Sequence, residues 1–212
     1  MMRTRMILAG VLLATSGCPG KRQDPVHAGV LPRLGVRFGA SVQEVASRRP
    51  GVYFQPYVGW VESPSDPVFS EVQYGFDHGS AGERPDSSGL LSSVTFIATN
   101  ASVTASLVRR IEKAIGAPSF LGCTPVPRQG VREEIAVLRR ATDGQDVILQ
   151  SLVRMADDSV FAAGPLNVTV RPSSASLATL GIDSLSTACF SSQFFSNPRP
   201  AAGARASDTS PP

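Results

Sequence analysis

The strongest constraint on the fold is an alternation of side chains between Val68 and Phe76. An apolar face that recurs every second residue is typical of a strand with one face packed against other elements. The pattern predicts one face with Val68, Ser70, Val72, Tyr74 and Phe76, and the other with Phe69, Glu71 and Gln73. A sheet with a packed layer on one side is therefore expected.

Two helices are predicted to supply that layer. Ser41-Val42-Gln43-Glu44 has the pattern of a capping box, and Pro50-Gly51 ends the helix about two turns later. A second helix begins near Ser102 or Thr104, either of which can cap it, and ends at Gly116-Ala-Pro118. Its apolar residues fall on one stripe: Val103, Leu107, Val108, Ile111 and Ile115.

Strand-like runs follow each helix. The first set covers 52–56, 68–76 and 90–98, and the second covers 135–140, 146–155 and 167–171. Asp143-Gly144 indicates a hairpin turn in the second set. Val131, Ile135 and Leu138 also fit a helical spacing, and residues 174–195 are compatible with short helices. The class expected is α+β: an antiparallel sheet, single or divided, with helices packed on one face, as two helix-plus-three-strand halves at 34–100 and 101–195.

The N-terminus has the pattern of a signal peptide. Arg3 and Arg5 precede a nine-residue apolar run, which spans about 13 Å as a helix and is too short for the ~30 Å bilayer core. Thr15-Ser-Gly-Cys18 resembles the lipobox of bacterial lipoproteins, although that family usually has an aliphatic residue where Thr15 stands. The resemblance implies removal of residues 1–17 and lipidation of Cys18, with palmitate-type acyl chains. An ordinary secretory signal is the alternative.

The same resemblance predicts a location. Pro19 follows Cys18, where Asp would mark inner-membrane retention, so the outer membrane, on its periplasmic side, is expected. Residues 18–33 form the lipidated cysteine and a tether, 34–195 the globular body, and 196–212 a disordered tail rich in Pro, Ala and Ser. The anchor in the membrane and an envelope protein are the expected partners.

The other two cysteines form an even pair for an oxidising compartment. Cys123 and Cys189 are predicted to form a disulfide, which in the chain-entropy model stabilises the fold by about 4 kcal/mol. Two buried thiols remain the alternative. A metal site is not expected, because neither cysteine has a histidine nearby or a Cys-x-x-Cys spacing.

Charge indicates no nucleic-acid partner. The chain has 20 basic and 17 acidic residues, and loss of Arg3 and Arg5 with the signal peptide leaves 18 against 17. A near-neutral body lacks the excess basic charge that nucleic-acid binding requires.

A further resemblance concerns the helix boundaries. Gly39-Ala-Ser41-x-x-x-Val45 is similar to a helix start in small envelope lipoproteins of the BamE/SmpA type, and Ile115-Gly116-Ala-Pro118 is similar to their helix end. Those proteins have a helix pair on a three-stranded sheet and act as scaffolds in outer-membrane assembly. The resemblance implies an α+β body and a scaffolding role, but here the two motif parts lie in different halves.

Candidate catalytic groups are few. Asp77, His78 and Ser80 lie in one loop, but a serine two residues from its own base rarely has in-line geometry. The alternative hypothesis is a small envelope hydrolase that uses His78 with Asp77 and a serine from elsewhere in the chain. The polar-loop interpretation is favoured, because no nucleophile elbow is present. Asp157-Asp158 and Asp143 with Asp146 are interpreted as solvated turn residues. The sequence therefore predicts a protein that is not an enzyme and has no cofactor.

One cluster is a candidate binding patch. Tyr53, Phe54, Tyr57 and Trp60 are four of the chain's 14 aromatic residues within eight positions, interrupted by Pro56 and Gly59. Aromatic residues on an irregular loop can bind a protein partner or a sugar. The alternative is that they fill one end of the core.

Overall fold

A computed structural model describes residues 30–78, 82, 85–124, 131–140, 144–156, 159–173 and 185–187. They form an eight-stranded sheet in which every neighbouring pair of strands is antiparallel, and two α-helices. In chain order the elements are α1 (Val42–Arg48), β1 (Tyr53–Gln55), β2 (Gly59–Glu62), β3 (Phe69–Phe76), β4 (Leu91–Ala98), a 3₁₀ turn (Ala101–Val103), α2 (Thr104–Ile115), β5 (Phe120–Cys123), β6 (Val131–Arg140), β7 (Gln145–Ala156) and β8 (Ser159–Pro172). The α+β class is confirmed, although the sheet dominates.

The strand order is β1-β2-β3-β4-β8-β7-β6-β5, so two four-stranded meanders meet at the centre of one sheet. Each half has a helix followed by four strands, and the predicted number of three was wrong. β2 and β5, of four residues each, were missed because four positions are too few to show a period of two.

The two halves join where β4 pairs with β8. Val94 lies opposite Val170, and Phe96 lies opposite Val168. Between these pairs, the hydroxyl oxygens of Thr95 and Thr169 are 2.8 Å apart. The seam therefore has side-chain contacts on both faces, and the sheet is continuous.

One face of the sheet, called the packed face, is apolar. The register places alternate residues of five strands there: Val72, Tyr74, Val94, Phe96, Ala136, Leu138, Val147, Leu149, Leu166, Val168 and Val170. All are buried in a single hydrophobic cluster. The same cluster contains residues of both helices: Val42 and Val45 of α1, and Leu107, Val108 and Ile111 of α2. One core therefore serves both halves.

The other face, called the opposite face, is more polar. It has the Thr95–Thr169 pair and a hydrogen bond from the Gln150 amide to the Glu133 carboxylate. A smaller cluster of Val137 and Ile148 packs there with the partly buried Phe120, Ile135 and Leu185. Half-buried polar residues that bond to one another are typical of a sheet face open to solvent.

The helix ends partly match the predictions. Ser41 caps α1, its hydroxyl accepting the Glu44 backbone N–H at 3.2 Å, as expected. Gly116 ends α2 at φ 120°, a conformation that favours glycine. The predicted cap of α2 was wrong: the Asn100 side chain caps the preceding 3₁₀ turn, while Thr104 is fully buried.

The strand predictions also need adjustment. Phe69, predicted on the face opposite Val72, is buried in the main cluster, and Ser70 is exposed, because a register shift interrupts β3 between Phe69 and Glu71. Residues 131–140 form a strand rather than a helix, and β6 and β7 form the predicted hairpin. β8 begins at Ser159, before the predicted 167–171.

Several predictions lie outside the described residues. These are the signal peptide, Cys18 and most of the tether, the tail, Cys189, and the helices proposed within 174–195, of which only 185–187 are described. Within the described segments, no helix has the length and apolar character needed to cross a membrane.

Candidate functional site

The four aromatic residues of the candidate patch lie on the hairpin formed by β1 and β2, called here the aromatic hairpin. β1 is an edge strand of the sheet. In the register, Phe54 lies opposite Trp60, and Tyr53 lies opposite Val61. Because successive residues of a strand point to opposite faces, the two pairs are on different faces of the sheet.

Phe54 and Trp60 form the internal part of the aromatic hairpin. Their ring centroids are 5.6 Å apart in an edge-to-face arrangement, which stabilises aromatic pairs. Trp60 packs against the main cluster, and its indole Nε1–H donates to the Asp86 carbonyl oxygen at 3.3 Å. The core interpretation therefore describes these two residues.

Tyr53 and Tyr57 form the displayed part. Tyr53 is 51% exposed and, by its pairing with Val61, lies on the opposite face at the edge of the sheet. Tyr57 is 70% exposed in the turn that joins β1 to β2. The predicted patch of four is thus two internal rings that support two exposed ones.

The turn holds Tyr57 in an unusual backbone conformation. The Val58 N–H donates to the Gln55 carbonyl oxygen at 3.1 Å, with Pro56 and Tyr57 at the two central positions. Tyr57 has φ 63°, where a glycine is normally preferred. Its N–H donates to the Gly82 carbonyl oxygen at 2.8 Å. Such strain at an exposed aromatic residue points to a functional reason for the side chain.

The aromatic hairpin also lacks charge. No charged residue occurs in residues 50–61, between Arg49 and Glu62. Three of the five exposed large hydrophobic residues in the described part of the chain are Tyr53, Tyr57 and Val58. The edge of the sheet at β1 is therefore both the most apolar exposed region and an uncharged one.

A buried ion pair lies beside the aromatic hairpin. The Arg49 guanidinium, at the end of α1, donates to both Glu62 oxygens, with Nε–Oε2 at 3.0 Å and Nη2–Oε1 at 2.6 Å. Glu62 is only 3% exposed. The hydrogen bond to Glu62 raises the pKa of Arg49, and burial next to Glu62 raises the pKa of Tyr74 well above its ordinary value. This pair fixes α1 to β2.

Sequence reasoning missed this ion pair. Its partners are 13 residues apart, on a helix end and a strand, so no local pattern joins them. The available signal was a single carboxylate, Glu62, at the end of an otherwise uncharged strand-like run. A buried carboxylate needs a partner, and Arg49 is the cation that the fold brings within reach.

A second polar cluster surrounds Asp146 in the other half. Asp146 is fully buried in β7 and accepts hydrogen bonds from Arg139 Nε at 2.9 Å and Ser173 Oγ at 2.8 Å, with Arg171 at 4.0 Å. Burial alone would raise its pKa, but these donors hold the pKa below its ordinary value. The prediction of a solvated turn residue was wrong for Asp146, because Arg139, Arg171 and Ser173 enclose its carboxylate. Asp143, Asp157 and Asp158 lie outside the described residues.

The loop proposed for hydrolase chemistry is exposed. His78 Nε2 is 3.8 Å from Asp77 Oδ1, and both side chains are about half exposed or more, at 68% and 47%. Asp77 Oδ1 also accepts the Leu90 backbone N–H at 2.8 Å, which gives it a structural role at the start of β4. Ser80 lies outside the described residues, and the hydrolase hypothesis, which takes its serine from elsewhere in the chain, stays a prediction. Among the residues described, no group of three His, Cys, Asp or Glu side chains is placed to hold a metal.

Cys123 ends the edge strand β5. Its backbone forms an antiparallel bridge with Ser186, with both N–H to O distances at 2.9 Å. Cys189 itself lies outside the described residues, so the disulfide stays a prediction.

No protein-family model, curated protein or solved structure matches this chain. The geometry of the aromatic hairpin and the N-terminal sequence are therefore the features that bear on function.

Proposed function

We propose that this chain is a lipid-anchored bacterial envelope protein whose α+β body binds another envelope component and performs no catalysis. The observation that supports this most is the construction of the aromatic hairpin, in which a packed Phe54–Trp60 pair supports the exposed Tyr53 and Tyr57. Tyrosine and tryptophan are enriched where proteins bind partners. An uncharged edge that displays two tyrosines suits binding better than catalysis.

The anchor is the second part of the proposal. The lipobox-like Thr15-Ser-Gly-Cys18 supports lipidation of Cys18, and Pro19 supports retention at the outer membrane, facing the periplasm. Two or three acyl chains hold a protein stably, since each buried CH₂ contributes about 0.8 kcal/mol. The weak similarity to BamE/SmpA-type lipoproteins agrees with a scaffolding role.

The body would present its opposite face to a protein partner. We infer that both helices cover the packed face, which is supported by the cluster that α1 and α2 share with alternate residues of five strands. Tyr53 projects from the edge of the other face. An envelope protein that binds there would contact Tyr53 first and then the half-buried polar side chains around Thr95 and Thr169.

A disulfide between Cys123 and Cys189 completes the proposal. The backbone pairing of Cys123 with Ser186 supports it, because Ser186 is only three residues from Cys189 in the chain. The disulfide would close the β5 edge of the sheet and leave the β1 edge, with its aromatic residues, as the display edge.

The binding role is tested by photo-crosslinking in the native envelope. A photoreactive phenylalanine analogue replaces Tyr53 in the full-length protein, and the adducts are identified by mass spectrometry. Leu152 is equally exposed at 51% on the same face, but it lies in β7, five strands from β1, so it is the matched control for a contact confined to the β1 edge. A defined protein adduct from position 53 but not from 152 is expected. Equal, non-selective adducts from both positions would contradict a binding site at Tyr53.

A further inference from the structure

We propose that the tip of the aromatic hairpin, formed by Pro56, Tyr57 and Val58, rests in the interface of the lipid bilayer. This tip would be a second membrane contact besides the lipid on Cys18, and the proposal rests on the anchored function proposed above. It assigns different targets to the two exposed tyrosines. Tyr53 faces a protein, and Tyr57 faces lipid.

The chemistry of the tip suits a lipid headgroup region. Tyr57 and Val58 are 70% and 37% exposed, and the twelve-residue segment that contains the tip, 50–61, has no charged residue. A tyrosine ring places its apolar body among the upper acyl chains while its hydroxyl remains hydrated, which explains the enrichment of tyrosine at membrane interfaces. Proline adds a further uncharged surface at the turn.

The tip is also held rigidly. Its turn is closed by the bond from Val58 N–H to Gln55, and the Tyr57 backbone is fixed to Gly82. Below the tip, Phe54 and Trp60 pack on each other. Insertion therefore costs little conformational entropy. A tyrosine with an exposed ring occupies the positive-φ position at which such a turn prefers glycine, and a membrane contact gives a reason for that strained residue.

The size of the tip favours lipid over a protein pocket. A stable protein interface buries about 800 Å² on each partner, with 20 to 30 residues on a side. Three consecutive turn residues cannot supply that area. An auxiliary membrane contact needs far less buried area. The anchor already holds the protein at the surface, so the tip meets the lipid at a high effective concentration.

The tether is long enough for the tip to contact the membrane in which Cys18 is anchored. The packed body begins at Leu31, which is buried in the main cluster. Leu31 is thirteen positions after Cys18, and a chain of that length spans at most about 45 Å. A body of this size has a radius of gyration of about 15 Å. The tether is thus long enough for the β1 edge to turn towards the membrane.

The test uses Trp60, the only tryptophan in the chain, as a reporter beside the tip. The mature chain, with its other two cysteines oxidised, is coupled through the Cys18 thiol to a maleimide lipid in phosphatidylethanolamine–phosphatidylglycerol vesicles. Brominated acyl chains quench tryptophan only at short range. Trp60 emission is expected to be lower in brominated than in plain vesicles, and Tyr57→Trp, which places a reporter on the tip itself, is expected to increase the quenched fraction.

Two variants show which residues are responsible. Tyr57→Ser combined with Val58→Ser is expected to abolish the quenching of Trp60, while Leu152→Ser, which alters an equally apolar exposed residue elsewhere, is expected to preserve it. Equal emission in brominated and plain vesicles, for both the parent and Tyr57→Trp, would overturn the proposal. A photo-crosslink from position 57 to a protein, without lipid quenching, would overturn it in favour of a protein pocket.

This result is separate from the anchored function itself. The coupling imposes the anchor, so quenching reports only on the tip. A native protein that has no lipid on Cys18 would contradict the proposed function and leave the quenching experiment valid.

Discussion

The two halves of the sheet differ in the length of their helices and of most of their strands. In the first half α1 has seven residues and the outer strands β1 and β2 have three and four. In the second half α2 has 12 residues, and β6, β7 and β8 have 10, 12 and 14. The long strands provide continuous pairing, whereas the short ones end in a hairpin that displays aromatic residues. One half therefore mainly supplies the framework, and the other carries the edge for which binding is proposed.

The ion pairs of the two halves also differ in the elements that they join. Arg49 and Glu62 join a helix end to a strand, so they hold two elements together. In the second half the ion pairs lie within the sheet: Arg132 with Glu134 at 3.0 Å on β6, and Arg139 with Asp146 at 2.9 Å between β6 and β7. The pair of the first half therefore determines where α1 sits beside the aromatic hairpin, while those of the second half stabilise the strands themselves.

The largest expected effect comes from the seam that the two halves share. Phe96 is fully buried in β4, 5.3 Å from the Phe69 ring and opposite Val168 of the second half. Phe96→Ala is expected to lower the free energy of unfolding by about 4 kcal/mol through cavity formation. Because both halves share one core, chemical denaturation followed by Trp60 fluorescence and by far-ultraviolet circular dichroism should give coincident transitions. Separate transitions would show that the halves unfold independently.

The next largest effect is expected from loss of the Arg49–Glu62 ion pair. Arg49→Ala leaves the buried Glu62 carboxylate without its guanidinium, so a loss of about 3 kcal/mol is expected. Hydrogen exchange of the α1 amides should accelerate, since this pair attaches the helix to β2. Arg48→Ala provides the control, because Arg48 is exposed on the same helix and its loss should change stability by less than about 0.5 kcal/mol. Equal effects of the two variants would refute the docking role of Arg49.

A smaller effect is expected from Asp146 in the second half, whose contribution to stability depends on pH. Hydrogen bonds hold the pKa of Asp146 below its ordinary value, so its ionised form stabilises the fold at pH values above about 4, and that contribution is lost as the pH falls through the lowered pKa. Asp146→Asn is expected to cost about 2 kcal/mol at pH 7. Urea titrations at pH 7 and pH 3 should show the difference between parent and variant shrinking at low pH. A constant difference would mean that Asp146 does not titrate with folding.

The smallest expected effect is an increase in stability. Tyr57→Gly removes a side chain from a left-handed backbone conformation and is expected to increase stability by about 1 kcal/mol, measured as a higher unfolding midpoint. Tyr53→Ala, in regular strand geometry, should give no comparable gain. A marked loss of stability in Tyr57→Gly would place the ring in the structural framework and weaken the distinction between the two edges.

How far the sequence predicted the structure depended on the length of each pattern. The α2 stripe, the alternation in β3 and the hairpin around Gly144 each extend over many residues, and all three were found. β2 and β5 were missed because they are short, and the bulge in β3 reversed the expected positions of Phe69 and Ser70. The patch was located by its composition. Its division into internal and exposed rings, and the Arg49–Glu62 pair beside it, depend on strand register and long-range contacts that no local pattern encodes.

An anchored body with a Cys123–Cys189 disulfide has a defined intact mass, which can be measured on the full-length protein extracted from its native membrane, with and without reductant. The expected mass reflects loss of residues 1–17, gain of a diacylglyceryl and an acyl group on Cys18, and two fewer hydrogens until reduction. A mass with an unmodified Cys18 would contradict the anchor, and a mass unchanged by reductant would contradict the Cys123–Cys189 disulfide.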